Sequence, residues 1–141
     1  MHATLDHVVL NVHDVERALC FYTEVIGLSP ERVNEYRDGA VLFPSLRVND
    51  VTVIDLMPPA LWGADTAGVE TGDGIDLRTN VDHFCLTIDE SDWSSLCGRL
   101  DAAGIAFEVE PTTLWGARGD GTAAYVRDSE GNRVELRYYP A

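Results

Sequence analysis

An internal repeat constrains this 141-residue chain more than any other feature of its sequence. Residues 5–12 (LDHVVLNV) align with residues 81–88 (VDHFCLTI), so that an Asp-His pair opens two hydrophobic strand patterns in the same way. Each pattern is followed by a helical spacing of apolar residues that ends at a glycine, Gly27 or Gly104. Because repeated sequences form repeated structural units, both halves are predicted to fold alike.

The elements of each half can be predicted from turn and periodicity signals. Asp14 is predicted to cap the first helix, and Asp89 or Ser91 the second. Three strand patterns follow each helix, at 31–36, 40–48 and 51–57 and at 106–110, 122–127 and 133–138, and residues 111–121 are predicted to be irregular. Each half is therefore predicted to be a βαβββ module, and the fold class is α+β.

The two modules are expected to share one domain. A module of about 60 residues buries too little apolar surface to be stable alone. We therefore predict a single domain over 1–141, made of modules 1–57 and 81–141. Residues 58–80 join them as a loop rich in Gly and Asp, whose length is typical of functional or disordered segments.

The charge balance excludes several classes of function. The chain contains ten basic residues, all Arg, and 24 acidic residues. The resulting net charge of −14 repels nucleic acid and anionic membranes. No apolar run approaches the roughly 18 residues of a membrane span, and the N-terminus lacks the features of a signal peptide. The three cysteines show no Cys-x-x-Cys spacing and indicate a reducing compartment. A cytoplasmic protein is expected, with neither nucleic acid nor membrane as partner.

Alternation along the strands selects four candidate metal ligands. His7 and His83 occupy equivalent positions in the first strand of each copy, and Asp55 and Glu135 in the last. All four point away from the face that packs under the helix. Two imidazoles and two carboxylates suit one divalent ion such as Mn, Fe, Co, Ni or Zn. If a pseudo-twofold axis relates the copies, the four side chains converge on that ion.

Each candidate also has a purely structural interpretation. Asp55 could instead form a salt bridge with an arginine, since a carboxylate among apolar neighbours is costly to bury without a partner. Glu135 could belong to a solvated strand face together with Arg133 and Arg137. Three further residues are candidates for a substrate pocket, although each could equally be a buried thiol, a loop anchor or a solvated cation: Cys85, Trp115 and Arg118.

Three segments carry a family resemblance over nearly the whole chain. Residues 5–12, 21–28 (FYTEVIGL) and 125–136 (YVRDSEGNRVEL) resemble the vicinal oxygen chelate superfamily, whose last segment usually reads F-x-D-P-D-G-N-x-[IVL]-E-[LF]. This glyoxalase-like group includes glyoxalase I, extradiol dioxygenases, fosfomycin-resistance proteins and bleomycin-binding proteins. The resemblance implies that the paired modules form a curved, partly open eight-stranded sheet.

The resemblance also implies a ligand set. In glyoxalase I the metal ligands match His7, Asp55, His83 and Glu135, although the strand-four ligand there is usually Glu and Asp55 is one methylene shorter. Extradiol dioxygenases and fosfomycin-resistance proteins use three ligands, which match His7, His83 and Glu135. The glutathione-binding features of glyoxalase I are not recognisable in this chain.

For function, the resemblance implies a metal-dependent, glyoxalase-like enzyme of isomerase or lyase type that chelates vicinal oxygens of a small substrate. Asp55 and Glu135 are the candidate catalytic residues, with Asp55 a fourth ligand or a general base. The alternatives are an extradiol-type dioxygenase, an epoxide-opening transferase, or a non-catalytic protein that sequesters a cationic drug. A homodimer is expected from the family.

Overall fold

The chain divides into two compact units, residues 1–77 and 78–141. The structure is a computed structural model that describes residues 5, 7–62, 83–116 and 118–140. Each unit contains one four-stranded mixed sheet. The predicted α+β class and the two repeated modules are thereby confirmed.

In the first unit, the strands that come first and last along the chain lie side by side and run parallel. Strand β1 pairs in parallel with β4, and the strand order is β1-β4-β3-β2. The elements are β1 (His7–Asn11), α1 (Val15–Cys20) continued by a π-helical segment (Phe21–Ile26), β2 (Ser29–Glu31), α2 (Val33–Arg37), β3 (Ser45–Asn49), β4 (Thr52–Met57) and α3 (Pro59–Trp62).

The second unit repeats this arrangement. Strand β5 pairs in parallel with β8, and the strand order is β5-β8-β7-β6. The elements are β5 (Phe84–Thr87), α4 (Glu90–Ala102), β6 (Val109–Gly116), β7 (Gly119–Arg127) and β8 (Arg133–Tyr138). The same strand order in both units is the structural counterpart of the sequence repeat.

The first helix follows the predicted signals, whereas Asp89 precedes α4 without a side-chain capping hydrogen bond. The Asp14 carboxylate accepts a hydrogen bond from the backbone N–H of Arg17 at 2.9 Å and so caps α1. The helical segment ends at Gly27, whose φ of 96° a residue with a side chain rarely adopts. In α4, Leu96 and Leu100 are buried on one stripe. Within the described ranges no helix is long and apolar enough to cross a membrane.

The prediction of a strand over 31–36 was wrong. Strand β2 ends at Glu31, and Val33–Arg37 forms the short helix α2. Between them Arg32 has φ 56° and ψ 24°, the left-handed region, and this residue turns the chain out of the strand. A left-handed arginine has no sequence signal, because this conformation is usually occupied by Gly or Asn.

The prediction of an irregular stretch over 111–121 was also wrong, because β6 and β7 form a hairpin through this segment. Pro111 cannot donate a hydrogen bond to a neighbouring strand, which makes a strand difficult to predict here. The sheet accommodates Pro111 because β6 is an edge strand and its register shifts between Val109 and Thr112.

A close backbone contact in this hairpin predicts an unequal response of two glycines to alanine. A Cβ at Gly121 would lie 2.7 Å from the Tyr138 backbone oxygen, whereas one at Gly98 in α4 meets nothing within 4 Å. We expect Gly121→Ala to lower the free energy of unfolding by about 1–3 kcal/mol. The control Gly98→Ala should raise it by about 0.5–1 kcal/mol, since Ala favours helices. Urea unfolding measures both, and an equal response would contradict the contact.

Candidate metal centre

The sheet registers place the four predicted ligands in two equivalent pairs, one in each unit. In the first unit Val9 is paired with Asp55, and His7 lies two residues before Val9 on the same face. In the second unit Cys85 is paired with Glu135, and His83 lies two residues before Cys85. Each unit therefore presents one imidazole and one carboxylate on the face of its sheet.

Glu135 is held in a buried ion pair with Arg137. The side chains of Glu135 and Arg137 are 7% and 4% exposed. Arg137 approaches a single carboxylate oxygen, Oε1, with Nε at 2.9 Å and Nη2 at 2.8 Å. A solvated strand face is therefore excluded as the explanation of these two charges.

The second carboxylate oxygen of Glu135 contacts the predicted histidine ligand. His83 Nε2 lies 3.2 Å from Oε2, and the Tyr125 hydroxyl donates a hydrogen bond to the same oxygen at 3.0 Å. The His83 and Tyr125 rings meet edge to face, with centroids 5.1 Å apart. Tyr125 is the register partner of Glu135 on β7, which explains why its hydroxyl reaches this oxygen.

These contacts keep Glu135 ionised. Burial by itself raises the pKa of Glu135, but hydrogen bonds from Arg137 and Tyr125 and the charges of Arg137 and His83 outweigh burial. The pKa therefore lies below its ordinary value. An ionised carboxylate is the form that binds a metal ion.

The geometry of this pair fits a divalent metal. Two ligands at right angles, each about 2.1 Å from one ion, lie about 3.0 Å apart, close to the 3.2 Å between His83 Nε2 and Glu135 Oε2. Imidazole nitrogen with carboxylate oxygen is a donor set that Mn, Fe, Co, Ni and Zn accept. Among the residues that the structure describes, no group of three or more His, Cys, Asp or Glu side chains forms a ready metal site.

Asp55 has an arginine partner and a hydroxyl donor. The Ser45 hydroxyl donates a hydrogen bond to Asp55 Oδ1 at 2.6 Å, and Arg32 Nη2 donates to Ser45 Oγ at 2.9 Å. Arg32 Nη2 also lies 4.0 Å from Asp55 Oδ1, and its guanidinium stands over the Phe43 ring at 4.7 Å. The salt bridge considered for Asp55 is thus present, and the left-handed Arg32 provides it.

The remaining predicted residues lie in different surroundings. His7 is exposed at the start of β1. Burial, and then the charge of Glu135, raise the pKa of the Cys85 thiol to about 11, although part of this residue is open to solvent. The Arg118 guanidinium stands 4.2 Å above the Tyr139 ring. Trp115 belongs to β6, and its side chain lies outside the described part of the chain.

Sequence reasoning missed four residues that hold the two carboxylates: Arg32, Ser45, Tyr125 and Arg137. Three of them had a usable signal. Ser45 lies on the strand that faces Asp55 across the turn at 49–50. Arg137 follows Glu135 by two residues and so shares its face, and Tyr125 occupies the facing strand of the hairpin that closes at 128–132. The contacts of Arg32 depend on its unusual backbone conformation and had none.

Comparison with known proteins identifies the family of this fold and site. The sequence model of the Glyoxalase/Bleomycin resistance protein/Dioxygenase superfamily matches residues 4–136. The chain belongs to this superfamily. Members typically bind small-molecule substrates and often dimerise, which is the class of partner that the sequence predicted.

Individual relatives within the superfamily are distant. A probable lactoylglutathione lyase of Vibrio cholerae is 30% identical over 133 residues, which cover 92% of this chain and 86% of that protein. A virulence protein of Salmonella typhimurium is 27% identical, with coverage of 96% and 83%. The crystal structure of a glyoxalase/dioxygenase from Nostoc punctiforme covers 98% of this chain and 92% of its own, with a TM-score of 0.71 and 22% identity. That last similarity shows the fold alone.

Proposed function

We propose that this superfamily member is a divalent-metal-dependent lyase of the glyoxalase type, which isomerises a small substrate with two neighbouring oxygens. The observation that supports this proposal is the pair formed by His83 Nε2 and the buried Glu135 Oε2, at the spacing of two ligands on one ion. The names of the relatives from Vibrio and other bacteria point to the same reaction class.

In this proposal His7, His83 and Glu135 hold the ion, which is Mn, Fe, Co, Ni or Zn. An ion held by these residues would supply Lewis-acid chemistry, that is, stabilisation of negative charge on the two substrate oxygens. Glu135 reaches the site already ionised, and Arg137 and Tyr125 fix its orientation. The chain's own residues thus prepare the carboxylate before an ion binds.

Asp55 acts as the general base in this proposal. Both of its contacts, with Ser45 and Arg32, are made to Oδ1, and within the described residues they leave Oδ2 to accept a proton. Asp55 takes a proton from the substrate carbon that bears one oxygen and returns it to the neighbouring carbon, so the reaction is a net isomerisation. The side chain of Asp55 is one methylene shorter than the Glu of glyoxalase I, and its Oδ1 already contacts Ser45 and Arg32. For these two reasons we assign Asp55 the role of base and not that of fourth ligand.

Three residues complete the proposed pocket. The raised pKa of Cys85 keeps its thiol protonated at neutral pH, so we assign it a lining role and not that of a nucleophile. The Arg118 guanidinium, stacked on Tyr139, binds an anionic group of the substrate. Trp115, whose side chain lies outside the described part of the chain, stays a candidate from the sequence alone. We also propose that the protein is a homodimer, and its molar mass in solution, measured by light scattering, tests this.

Metal binding by histidine variants tests the proposal directly. We expect protein purified without added metal, then dialysed against Mn, Fe, Co, Ni or Zn, to retain about one ion per chain. His83→Ala and His7→Ala should each lower that content severely. The matched control is His13→Ala, because His13 lies between β1 and α1 and its ring meets the Trp62 ring edge to face, with centroids 4.9 Å apart. Unchanged metal content in a His7→Ala, His83→Ala double variant would refute the metal site.

Assays of the loaded protein separate the lyase from its alternatives. We expect isomerisation of hemithioacetals formed from methylglyoxal and a small thiol. Oxygen consumption with a catechol would instead indicate an extradiol-type dioxygenase, and thiol addition to an epoxide would indicate a transferase. A thermal shift with cationic antibiotics but not with metals would indicate a sequestering protein.

A further inference from the structure

We infer that Arg137 is a positioning residue that determines which oxygen of Glu135 is available to a metal ion. This inference rests on the proposed role of Glu135 as a ligand. Arg137 acts through the carboxylate of Glu135, which contacts both Arg137 and His83.

The two oxygens of Glu135 have separate partners. Oε1 accepts a hydrogen bond from Arg137 Nε at 2.9 Å, and Arg137 Nη2 lies 2.8 Å from the same oxygen. Oε2 receives the Tyr125 hydroxyl at 3.0 Å and faces His83 Nε2 at 3.2 Å. A guanidinium on Oε1 leaves no room there for a second cation, so only Oε2 is open to an ion beside His83. Glu135 should therefore bind through one oxygen.

The orientation of Arg137 is itself fixed. Its Nη1 donates to the Leu114 backbone oxygen at 3.1 Å and to the Tyr139 hydroxyl at 3.3 Å. Arg137 is buried and makes contacts on both sides. Its planar guanidinium is therefore held in one arrangement, in which Nε and Nη2 lie beside Glu135 Oε1. A lysine has no such planar array of donors and would not reproduce it.

The first unit shows that the fold does not require a cation at this place. Met57 is the residue equivalent to Arg137, because Asn11 pairs with Met57 as Thr87 pairs with Arg137. There the carboxylate Asp55 obtains its donors from other elements. Because the apolar Met57 occupies the equivalent position in the first sheet, we attribute the arginine at 137 to its contact with Glu135.

Removing an outer partner of a ligand typically weakens metal binding about 10–100-fold. We therefore expect Arg137→Lys to weaken the binding of Co or Zn by at least tenfold, measured by competition with a chromophoric chelator. The absorption bands of the Co-loaded protein should change as well, because a released Glu135 can bind through both oxygens. A residue that merely supported the fold would leave the spectrum of the bound ion unchanged.

The matched control is Arg127→Lys. Arg127 lies on β7 of the same sheet and forms a solvent-exposed arginine–glutamate ion pair with Glu108, with Nη2 3.0 Å from Oε1. Its replacement should leave both affinity and spectrum unchanged. Arg137→Met serves as a second variant, and the conservative Arg137→Lys keeps the charge if Arg137→Met does not fold.

The outcomes separate this inference from the proposed function. If the unaltered protein binds Co or Zn and Arg137→Lys binds as tightly, with the same spectrum, Arg137 has no positioning role and the proposed lyase is unaffected. If the unaltered protein binds neither ion, the proposed metal site fails and the inference fails with it. Weaker binding with a shifted spectrum, absent in Arg127→Lys, supports both.

Discussion

Glu135→Ala is expected to abolish metal binding and to lower the free energy of unfolding by about 3 kcal/mol. Breaking a buried ion pair typically costs about 3–5 kcal/mol, because the remaining charge has no compensating partner. The value should lie at the lower end here, since the Leu114 carbonyl and the Tyr139 hydroxyl still accept hydrogen bonds from Arg137. Urea unfolding of the metal-free protein gives the stability, and elemental analysis gives the metal content.

A double variant separates stability from metal binding. Replacing both charges in Glu135→Met, Arg137→Met removes the pair without leaving an unpaired ion, and such replacements are often neutral or stabilising. We expect the double variant to recover most of the lost stability while binding no metal. A Glu135→Ala protein as stable as the original would contradict the buried ion pair.

Asp55→Asn is expected to lower kcat about 10²–10⁴-fold while leaving the bound metal in place. The amide keeps the size of Asp55 and can still accept the Ser45 hydrogen bond, but it cannot take up a proton from the substrate. Loss of the general base therefore affects the chemical step alone. Steady-state kinetics on the loaded protein, with the metal content measured on the same sample, check both halves of this prediction.

Asp50→Asn is the control for this charge change, because Asp50 is exposed in the turn between β3 and β4. It should leave kcat unchanged. If Asp55→Asn loses metal as well as activity, Asp55 is a fourth ligand and not the base. If neither property changes, Asp55 has no part in the reaction.

The repeat made most of the fold predictable. Once the two Asp-His strands were aligned, alternation alone selected His7 and Asp55 as one pair and His83 and Glu135 as the other, and the registers of β1 with β4 and of β5 with β8 agree with this selection. Alternation succeeds because a strand has only two faces and the helix covers one of them.

The arrangement around each carboxylate was not predictable in the same way. The Ser45 hydroxyl reaches Asp55 because the two residues face each other across β3 and β4. The Arg32 guanidinium approaches both from a residue whose left-handed backbone has no sequence signal. Arg137 was visible as a neighbour of Glu135, but a row of alternating charges on a strand is also typical of a solvated face. The burial of Glu135 and Arg137 decides between the two interpretations. That burial depends on the hairpin of β6 and β7, which was not predicted from the sequence.

The proline in β6 has a consequence for the behaviour of the protein at high concentration. Strands β2 and β6 are edge strands of their sheets, and each contains a proline, Pro30 and Pro111. A strand that lacks an N–H group is a poor template for a strand from another molecule, and β6 has a register shift in addition. Growth of a continuous sheet from these two edges is therefore disfavoured.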